Sequence, residues 1–116
     1  MITLSKSFPK TCRIHQKKDF EYLRERSGKT FASPLVVYSK TSRLGLNHAR
    51  LGLSVSSKQG NAVRRNRLKR ILREEFRLSQ RRHEIGLDLL VVTAQKVTDE
   101  GQLRQSFQKA LQGLKP

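Results

Sequence analysis

The sequence predicts an α/β fold, or α+β in looser usage, with helices packed on one mixed β-sheet. Three patterns predict it: a strictly alternating segment at residues 51–56, a helical apolar period from residue 62 onward, and a continuous apolar segment at residues 87–94. The chain has 116 residues, which is the usual size of one domain. We therefore predict a single domain over residues 1–116.

The first predicted helix covers residues 17–26, with the sequence KKDFEYLRER. Phe20 and Leu23 lie three residues apart, which places them on one side of the helix, and a Ser-Gly pair then ends it. Residues 1–14 precede this helix, and we expect them to form a flexible N-terminal segment.

Two strands are predicted next, at residues 33–40 and 51–56. The first is rich in β-branched and aromatic residues, and its alternation places Val36 and Tyr38 on one face. In the second, LGLSVS, the large apolar residues face one way and the small and polar residues face the other. The connection, residues 41–48, contains Gly, Asn and Ser, so we expect the two strands to pair antiparallel as a hairpin.

The longest predicted helix runs over residues 62–82, with Asn61 as its N-cap. Its core side is predicted by four apolar residues that fall in one arc: Leu68, Ile71, Leu72 and Phe76. The apolar segment 87–94 then predicts a strand covered on both faces. A final helix is capped by Thr98 or Asp99. Its inner side is formed by Leu103, Phe107, Ala110, Leu111 and Leu114.

The chain is strongly basic. It has 25 Lys and Arg against 9 Asp and Glu, a formal net charge of +16. Like charges at this density repel one another in a compact protein, so an anionic partner is expected, either a nucleic acid, a membrane surface or an acidic protein. The longest apolar run, Leu89–Val92, is too short for a membrane span, and the N-terminal residues include no apolar segment of signal-peptide length. We therefore expect a cytoplasmic protein with no membrane partner.

Cys12 is the single cysteine, so an intramolecular disulfide and a cysteine-rich zinc site are excluded by count. His15, His48 and His83 lie far apart in the sequence, without the spacing of metal ligands. We therefore predict no metal site and no cofactor bound by the protein itself.

The predicted outer face of the long helix is basic. Opposite the apolar arc lies a row of roughly 16 Å, formed by Asn66, Arg70, Arg73 and Arg77 and widened at its N-terminal end by Arg65, Arg67 and Lys69. Nine basic residues stand between Arg64 and Arg82, with Glu74 and Glu75 as the only acids. A solvated face usually mixes charge signs, so this excess predicts contact with a polyanion. Lys58 and the loop before the helix could add an anion site, and an ordinary capped helix start is the alternative.

The segment KQGNAVRRNRLKRILREEFR, residues 58–77, resembles the signature of the bacterial ribonuclease P protein family. The Arg-Asn-Arg core of that signature stands here as Arg65-Asn66-Arg67, and the resemblance extends upstream through LGLSVSSK and KKDF. It implies a protein that binds the ribonuclease P catalytic RNA and precursor transfer RNA, and assists removal of the 5′ leader. It also implies that the RNA uses Mg²⁺ for catalysis, so no catalytic residue, metal ligand or small-molecule substrate is expected on the protein.

By this resemblance, the residues that bind the RNA subunit are Lys58, Asn61, Arg65, Asn66, Arg67, Lys69, Arg70, Arg73 and Arg77. The family also binds the leader in a cleft between the sheet and the first two helices, and the matching residues are Phe20, Arg24, Val36, Tyr38 and Ser54. Arg24 stands where some family members have a second aromatic residue, so contacts there should be more electrostatic and less stacked. The small residues Gly52 and Ser54 share a face with Tyr38 and would let a nucleic-acid backbone approach closely. A core position is the alternative for Phe20.

The resemblance further implies a two-layer sandwich with a mixed four-stranded sheet and three helices, similar to the second domain of ribosomal protein S5. It includes an uncommon left-handed β-α-β crossover through the basic helix. Strand twist alone would predict a right-handed crossover, so this detail depends entirely on the resemblance.

Three other functions share some of these features. A small basic ribosomal protein that binds ribosomal RNA has a similar size and charge, and the Arg-Asn-Arg segment distinguishes the two. A self-sufficient nuclease would need a carboxylate cluster or a His pair, whereas Glu74 and Glu75 point in different directions and His83-Glu84 lies at a helix end. A DNA-reading helix would need a helix-turn-helix partner, but strands flank the long helix.

Overall fold

The computed structural model describes residues 12–14 and 16–115. Its helices and strands are, in chain order, α1 (Lys17–Arg24), β1 (Gly28–Ala32), β2 (Leu35–Thr41), β3 (Arg50–Ser54), α2 (Ala62–Leu78), β4 (Leu87–Thr93) and α3 (Glu100–Gly113). Two short 3-10 turns, Ser57–Gln59 and Gln80–His83, lie on either side of α2.

The four strands form one mixed sheet in the order β1-β2-β4-β3. β2 pairs antiparallel with both β1 and β4, whereas β3 and β4 are parallel. This arrangement confirms the predicted α+β class, with its mixed four-stranded sheet and three helices. The chain passes from β3 through α2 to the parallel strand β4, which is the expected β-α-β crossover, and its left hand stays a prediction from the resemblance.

The predicted hairpin between residues 33–40 and 51–56 is wrong, because β4 lies between β2 and β3. β4 is buried along almost its whole length, and a strand that is apolar on both faces is most stable at the centre of a sheet. The hairpin is formed instead by β1 and β2, across a turn at residues 33–34. Sequence analysis missed β1 because its sequence GKTFA is short, directly follows α1 and is mostly exposed.

The helix boundaries follow local capping. The Asn61 side chain caps α2 by accepting a hydrogen bond from the backbone N–H of Arg64 at 3.0 Å. Asp99, one of the two predicted residues, caps α3. α2 ends earlier than predicted, at Leu78, because Ser79 leaves the helical conformation and its side chain caps the next turn.

The main core lies between the sheet and the layer formed by α2 and α3. All the residues predicted for the inner sides of these two helices are buried. They pack against the strand residues Leu35, Val37, Leu51, Leu89 and Val91. The short helix α1 covers part of the opposite face, where Leu23 packs with Ile14 and Leu90 beside the half-buried Phe20 and Tyr38. One face of the sheet is therefore closed, and the other remains partly open.

The flexible segment predicted over residues 1–14 is packed at its C-terminal end. Arg13 forms a parallel bridge with Leu51, and the Ile14 N–H donates to the Leu51 carbonyl at 2.9 Å. Ile14 is also buried. The last residues of the segment therefore extend the sheet beside β3, while residues 1–11 lie outside the described part of the chain.

A buried charge network joins α1 to the sheet. The Arg50 guanidinium donates from Nε and Nη2 to the two carboxylate oxygens of Asp88, at 2.9 and 2.8 Å. The same Nη2 donates to Asp19 Oδ1 at 3.0 Å, and Arg43 Nε donates to that oxygen at 2.6 Å. Burial raises the pKa of Asp19, but hydrogen bonds and charge attraction from Arg50 and Arg43 outweigh it, so this pKa lies below its ordinary value of 3.8. Because Asp19 lies in the first turn of α1, the network fixes that helix over β3 and β4.

We expect this network to make the stability depend on pH in the acid range. The pKa of Asp19 is lower in the folded than in the unfolded chain, so its stabilisation is complete above the unfolded value and is lost as the pH falls through the folded pKa. Asp19→Asn should therefore flatten the fall in the free energy of unfolding between about pH 5 and about pH 2, measured by urea denaturation. Glu21→Gln removes an exposed carboxylate from the same helix and is the control. Equal flattening by both substitutions would contradict the assignment.

Candidate nucleic-acid interface

The outer face of α2 is accessible along the predicted basic row. Its exposed residues are Asn66, Arg67, Arg70 and Arg73, and the half-buried residues at its sides are Arg65, Lys69 and Arg77. The apolar arc on the other side of the helix is buried. The helical period therefore placed every residue of the row on the correct side, and the face is long enough to meet several phosphate groups.

Arg67 of the Arg-Asn-Arg core is paired with the first residue of α3. Its Nε and Nη2 donate to the two carboxylate oxygens of Glu100 at 2.6 and 2.8 Å, and Arg64 Nη1 lies 3.6 Å from the same carboxylate. The hydrogen bond from Arg67 is the main reason that the pKa of Glu100 lies below its ordinary value. Glu100 thus occupies the edge of the Arg67 guanidinium with which arginine binds phosphate in pairs. Sequence analysis missed this pair, because its members are 33 residues apart.

Arg13 adds a basic residue to the row, and sequence analysis missed it as well. A shallow pocket of about 230 Å³ is lined by Arg13, Arg70, Arg73, Glu74 and Arg77. Because Arg13 pairs with the edge strand β3, it lies between the basic row and the sheet. The positive charges around this pocket favour an anion such as phosphate.

The turn before α2 combines exposed and buried polar groups. Lys58 and Asn61 are exposed, as expected for residues that contact a partner. Gln59 points inward, where its Nε2 donates to the Gln95 carbonyl at 2.7 Å and its Oε1 accepts from the Val97 N–H at 2.8 Å. These bonds fix the turn to the loop before α3. Asn61 caps the helix start, and an anion site beside Lys58 stays a prediction.

A cleft of about 510 Å³ lies on the opposite face of the sheet, beside α1. Four of the five predicted leader-binding residues line it, namely Phe20, Arg24, Tyr38 and Ser54, together with Leu23, Lys29, Leu53, Leu90 and Val92. The fifth, Val36, is half-buried and lies opposite Val92 in the register of β2 and β4. Within the described residues the walls are α1 and the sheet, without the predicted contribution from the second helix.

The cleft has both aromatic and basic lining residues. Lys29 lies opposite Tyr38 in the register of β1 and β2, and its Nζ is 5.6 Å from the centre of the Tyr38 ring. Arg24 is exposed at the end of α1. Lys29 was missed because β1 was missed. A single-stranded nucleic acid needs both an aromatic stacking surface and nearby positive charge, and this cleft offers both.

Gly52 faces the cleft side of the sheet as predicted, but it is not open to a ligand. A Cβ at this position would lie 3.0 Å from Phe20 Cε1 and 3.2 Å from Ile14 Cβ. The absent side chain therefore makes room for Phe20 and Ile14, and not for a nucleic-acid backbone, which corrects the prediction. Phe20 is half-buried. It packs on the small cluster beneath α1 and also lines the cleft, so both interpretations of this residue apply.

The adjacent residues Arg13 and Ile14 each contact a different one of these two regions. Arg13 lines the pocket beside the basic row, while Ile14 packs with the cluster beneath Phe20. Adjacent residues of an extended segment point to opposite sides, so Arg13 lines the pocket directly, whereas the buried Ile14 only supports Phe20 from beneath.

This fold, with a basic helix face and a basic aromatic cleft, defines a small RNA-binding protein. None of the described helices has the length and apolar character to cross a membrane. Residues 8–115 match the family model described as Ribonuclease P. The chain belongs to the ribonuclease P protein family and is a protein subunit of that ribonucleoprotein endoribonuclease, which makes the ribonuclease P RNA its partner.

Individual relatives agree with the family match. The ribonuclease P protein component of Staphylococcus epidermidis is 42% identical over 91 residues, which are 78% of this chain and 76% of the relative. The solved RNase P protein of Staphylococcus aureus has a TM-score of 0.75 and 33% identity, over 87% of this chain and 93% of that one. The RNase P protein of Thermotoga maritima has a TM-score of 0.78 and 27% identity, over 90% and 98%. The resemblance indicated by the Arg-Asn-Arg segment is thereby confirmed.

Proposed function

We propose that this subunit binds the ribonuclease P RNA through the outer face of α2 and holds the 5′ leader of precursor transfer RNA in the cleft beside α1. The observation that supports this most strongly is the presence of two basic surfaces on one small domain, the exposed row on α2 and the aromatic cleft beside α1. One subunit would then contact both RNAs. The protein would therefore increase the affinity of the holoenzyme for substrates that still have a leader.

The two surfaces suit two different forms of RNA. Arg70 and Arg73 are exposed on a rigid helix, where contacts to phosphate would position the protein on a folded RNA without reading its sequence. Tyr38 offers a ring on which an unpaired base can stack, while Lys29 and Arg24 attract the backbone of the same strand. A folded RNA subunit on α2 and a single-stranded leader in the cleft match these properties.

We further propose that the RNA subunit, with its Mg²⁺ ions, cleaves the phosphodiester bond. The state of several carboxylates supports this division of roles. They are paired with arginine: Asp19 and Asp88 with Arg50, Glu100 with Arg67, and Glu75 with Arg104. A carboxylate held in such a pair is a poor metal ligand or general base. The expected location is the cytoplasm, where precursor transfer RNA is made.

Cleavage of a 5′-labelled precursor transfer RNA at low Mg²⁺ concentration tests this function. The reaction is run with a bacterial ribonuclease P RNA with and without the protein, and with the protein alone. We expect cleavage at the mature 5′ end to depend on the protein, because its cations neutralise phosphates that otherwise require more Mg²⁺. The protein alone should not cleave.

The other outcomes distinguish the alternatives. No stimulation at any Mg²⁺ concentration would favour a protein that binds ribosomal RNA. Cleavage by the protein alone would show that the protein has an active site of its own. Stimulation that is equal for substrates with long leaders and with single-nucleotide leaders would contradict the role of the cleft and leave the role of α2 intact.

A further inference from the structure

Phe31 in β1 is 77% exposed, although it is a large aromatic side chain in a strand. In the register of β1 and β2, Phe31 lies opposite Val36, and Lys29 lies opposite Tyr38. Residues directly opposite each other in antiparallel strands share one face of the sheet. Phe31 therefore lies on the face that forms the cleft, while α2 and α3 cover the other face.

The surface between Phe31 and the cleft is continuous. Val36 and Val92 are half-buried and lie opposite each other, and Val92 also lines the cleft. Tyr38 is the diagonal neighbour of Phe31 on the adjacent strand, and such neighbours lie about 7–8 Å apart. α1 packs mainly on β2 and β4. It leaves the Phe31 side of this face open.

We propose that Phe31 is a further binding subsite for single-stranded RNA, on which a base stacks after the strand has passed Tyr38. This inference rests on the proposed function, because the RNA reaches Phe31 from the cleft. In other RNA-binding modules, aromatic residues on neighbouring strands of one sheet stack successive bases. The ring of Phe31 would take the base next to the one bound at Tyr38.

Charge favours RNA over a second copy of the chain as the occupant of this face. Lys29 lies two positions before Phe31 on the same strand, and its Nζ lies over the Tyr38 ring, where it can contact the phosphate between two stacked bases. A second copy would bring another net charge of +16 to the same surface. Such like charge opposes association of two copies and attracts an RNA strand.

The test uses the holoenzyme reconstituted from ribonuclease P RNA and the full chain, with precursor transfer RNAs whose leaders differ in length. Phe31→Ala should weaken the binding of long-leader substrates about 5- to 150-fold, the range expected for one base stacked on one aromatic ring. The binding of mature transfer RNA should not change. Phe31→Tyr keeps the ring and should retain wild-type affinity. Leu44→Ala is the matched control, because it removes another exposed apolar side chain, in the loop between β2 and β3.

Single abasic nucleotides in the leader locate the subsite. At one leader position, removal of the base should lower the affinity of the wild-type holoenzyme for the substrate. The same removal should cause no further loss of affinity in Phe31→Ala. Independent losses at every position would overturn the proposal. It would also be overturned if sedimentation showed that the free wild-type protein forms dimers and Phe31→Ala does not, since a second copy would then occupy the face.

This result can be separated from a failure of the proposed function. If the wild-type protein stimulates cleavage and discriminates by leader length, but Phe31→Ala does so equally well, only the subsite is wrong. If the wild-type protein does not discriminate by leader length, the leader-binding function itself is wrong, and the Phe31 subsite fails with it.

Discussion

Arg50→Ala is expected to lower the free energy of unfolding by about 3–5 kcal/mol, which is the usual cost of leaving a buried charge without its partner. Asp88 is fully buried and receives two hydrogen bonds from the Arg50 guanidinium. After the substitution its carboxylate would lose its main counter-charge. Urea denaturation at neutral pH, followed by circular dichroism, measures the change. Because domains of this kind are stable by only about 5–15 kcal/mol, the urea concentration at the midpoint of unfolding should decrease by a large fraction.

Arg43→Ala is the matched control for this experiment. It removes a guanidinium from the same network, but the Arg43 side chain is 27% exposed and its loss leaves the pair between Arg50 and Asp88 intact. We expect a loss of at most about 1 kcal/mol, as for other partly exposed ion pairs. Arg50→Lys should be intermediate, since lysine keeps the charge but not the planar fork. If the Arg50 and Arg43 alanine variants lost equal free energy of unfolding, the burial of Arg50 would not be the cause of the destabilisation.

Arg70→Ala is expected to weaken binding of the ribonuclease P RNA about 10-fold or more, which corresponds to the loss of one charge-assisted hydrogen bond. Arg70 is exposed within the basic row, beside the pocket that Arg13 completes. The slope of log affinity against log salt concentration should also fall by about 0.7–0.9 for each lost phosphate contact. Filter binding at several salt concentrations measures both quantities. Lys109→Ala removes the same charge from an exposed position on α3, and a similar loss there would mean that net charge alone determines binding.

Arg67 should behave differently from Arg70 because of Glu100. Arg67→Ala removes a cation and leaves a carboxylate beside the RNA, so it should weaken binding more than Arg70→Ala does. Glu100→Gln removes the competing anion and should strengthen binding and steepen the salt dependence. The double variant should recover part of the affinity lost in Arg67→Ala. If Glu100→Gln weakened binding instead, the carboxylate would be needed to orient Arg67.

Sequence patterns predicted which face of each helix or strand is buried better than they predicted which elements lie side by side. In α2 the apolar and basic residues separate with the helical period, so the buried and exposed sides could be assigned residue by residue. Pairing between strands has no comparable local pattern. The alternation in β3 shows which side is buried, but it does not show that β4 is its partner. That choice depends on the whole sheet, in which the most apolar strand takes the centre.

The same distinction holds for the candidate site. The predicted residues on α2 lie in one contiguous segment, whereas Arg13, Lys29 and Glu100 reach the site through contacts between distant parts of the chain. Gly52 was assigned to the correct face, but the pattern could not show that Phe20 fills the space above it. Local periodicity therefore predicted the direction of the side chains, and tertiary packing determined what they meet.

The strand order also has a consequence for biosynthesis. β4 lies at the centre of the sheet, yet it is the last of the described strands to leave the ribosome. Until then, β3 lacks β4, which is its partner among the described strands, and α2 lacks a completed core to pack on. The nascent chain therefore exposes the apolar side of α2, which the folded protein buries, until β4 has emerged. A translational pause between β3 and β4 would prolong this exposure, whereas a pause after β4 would let the sheet close first.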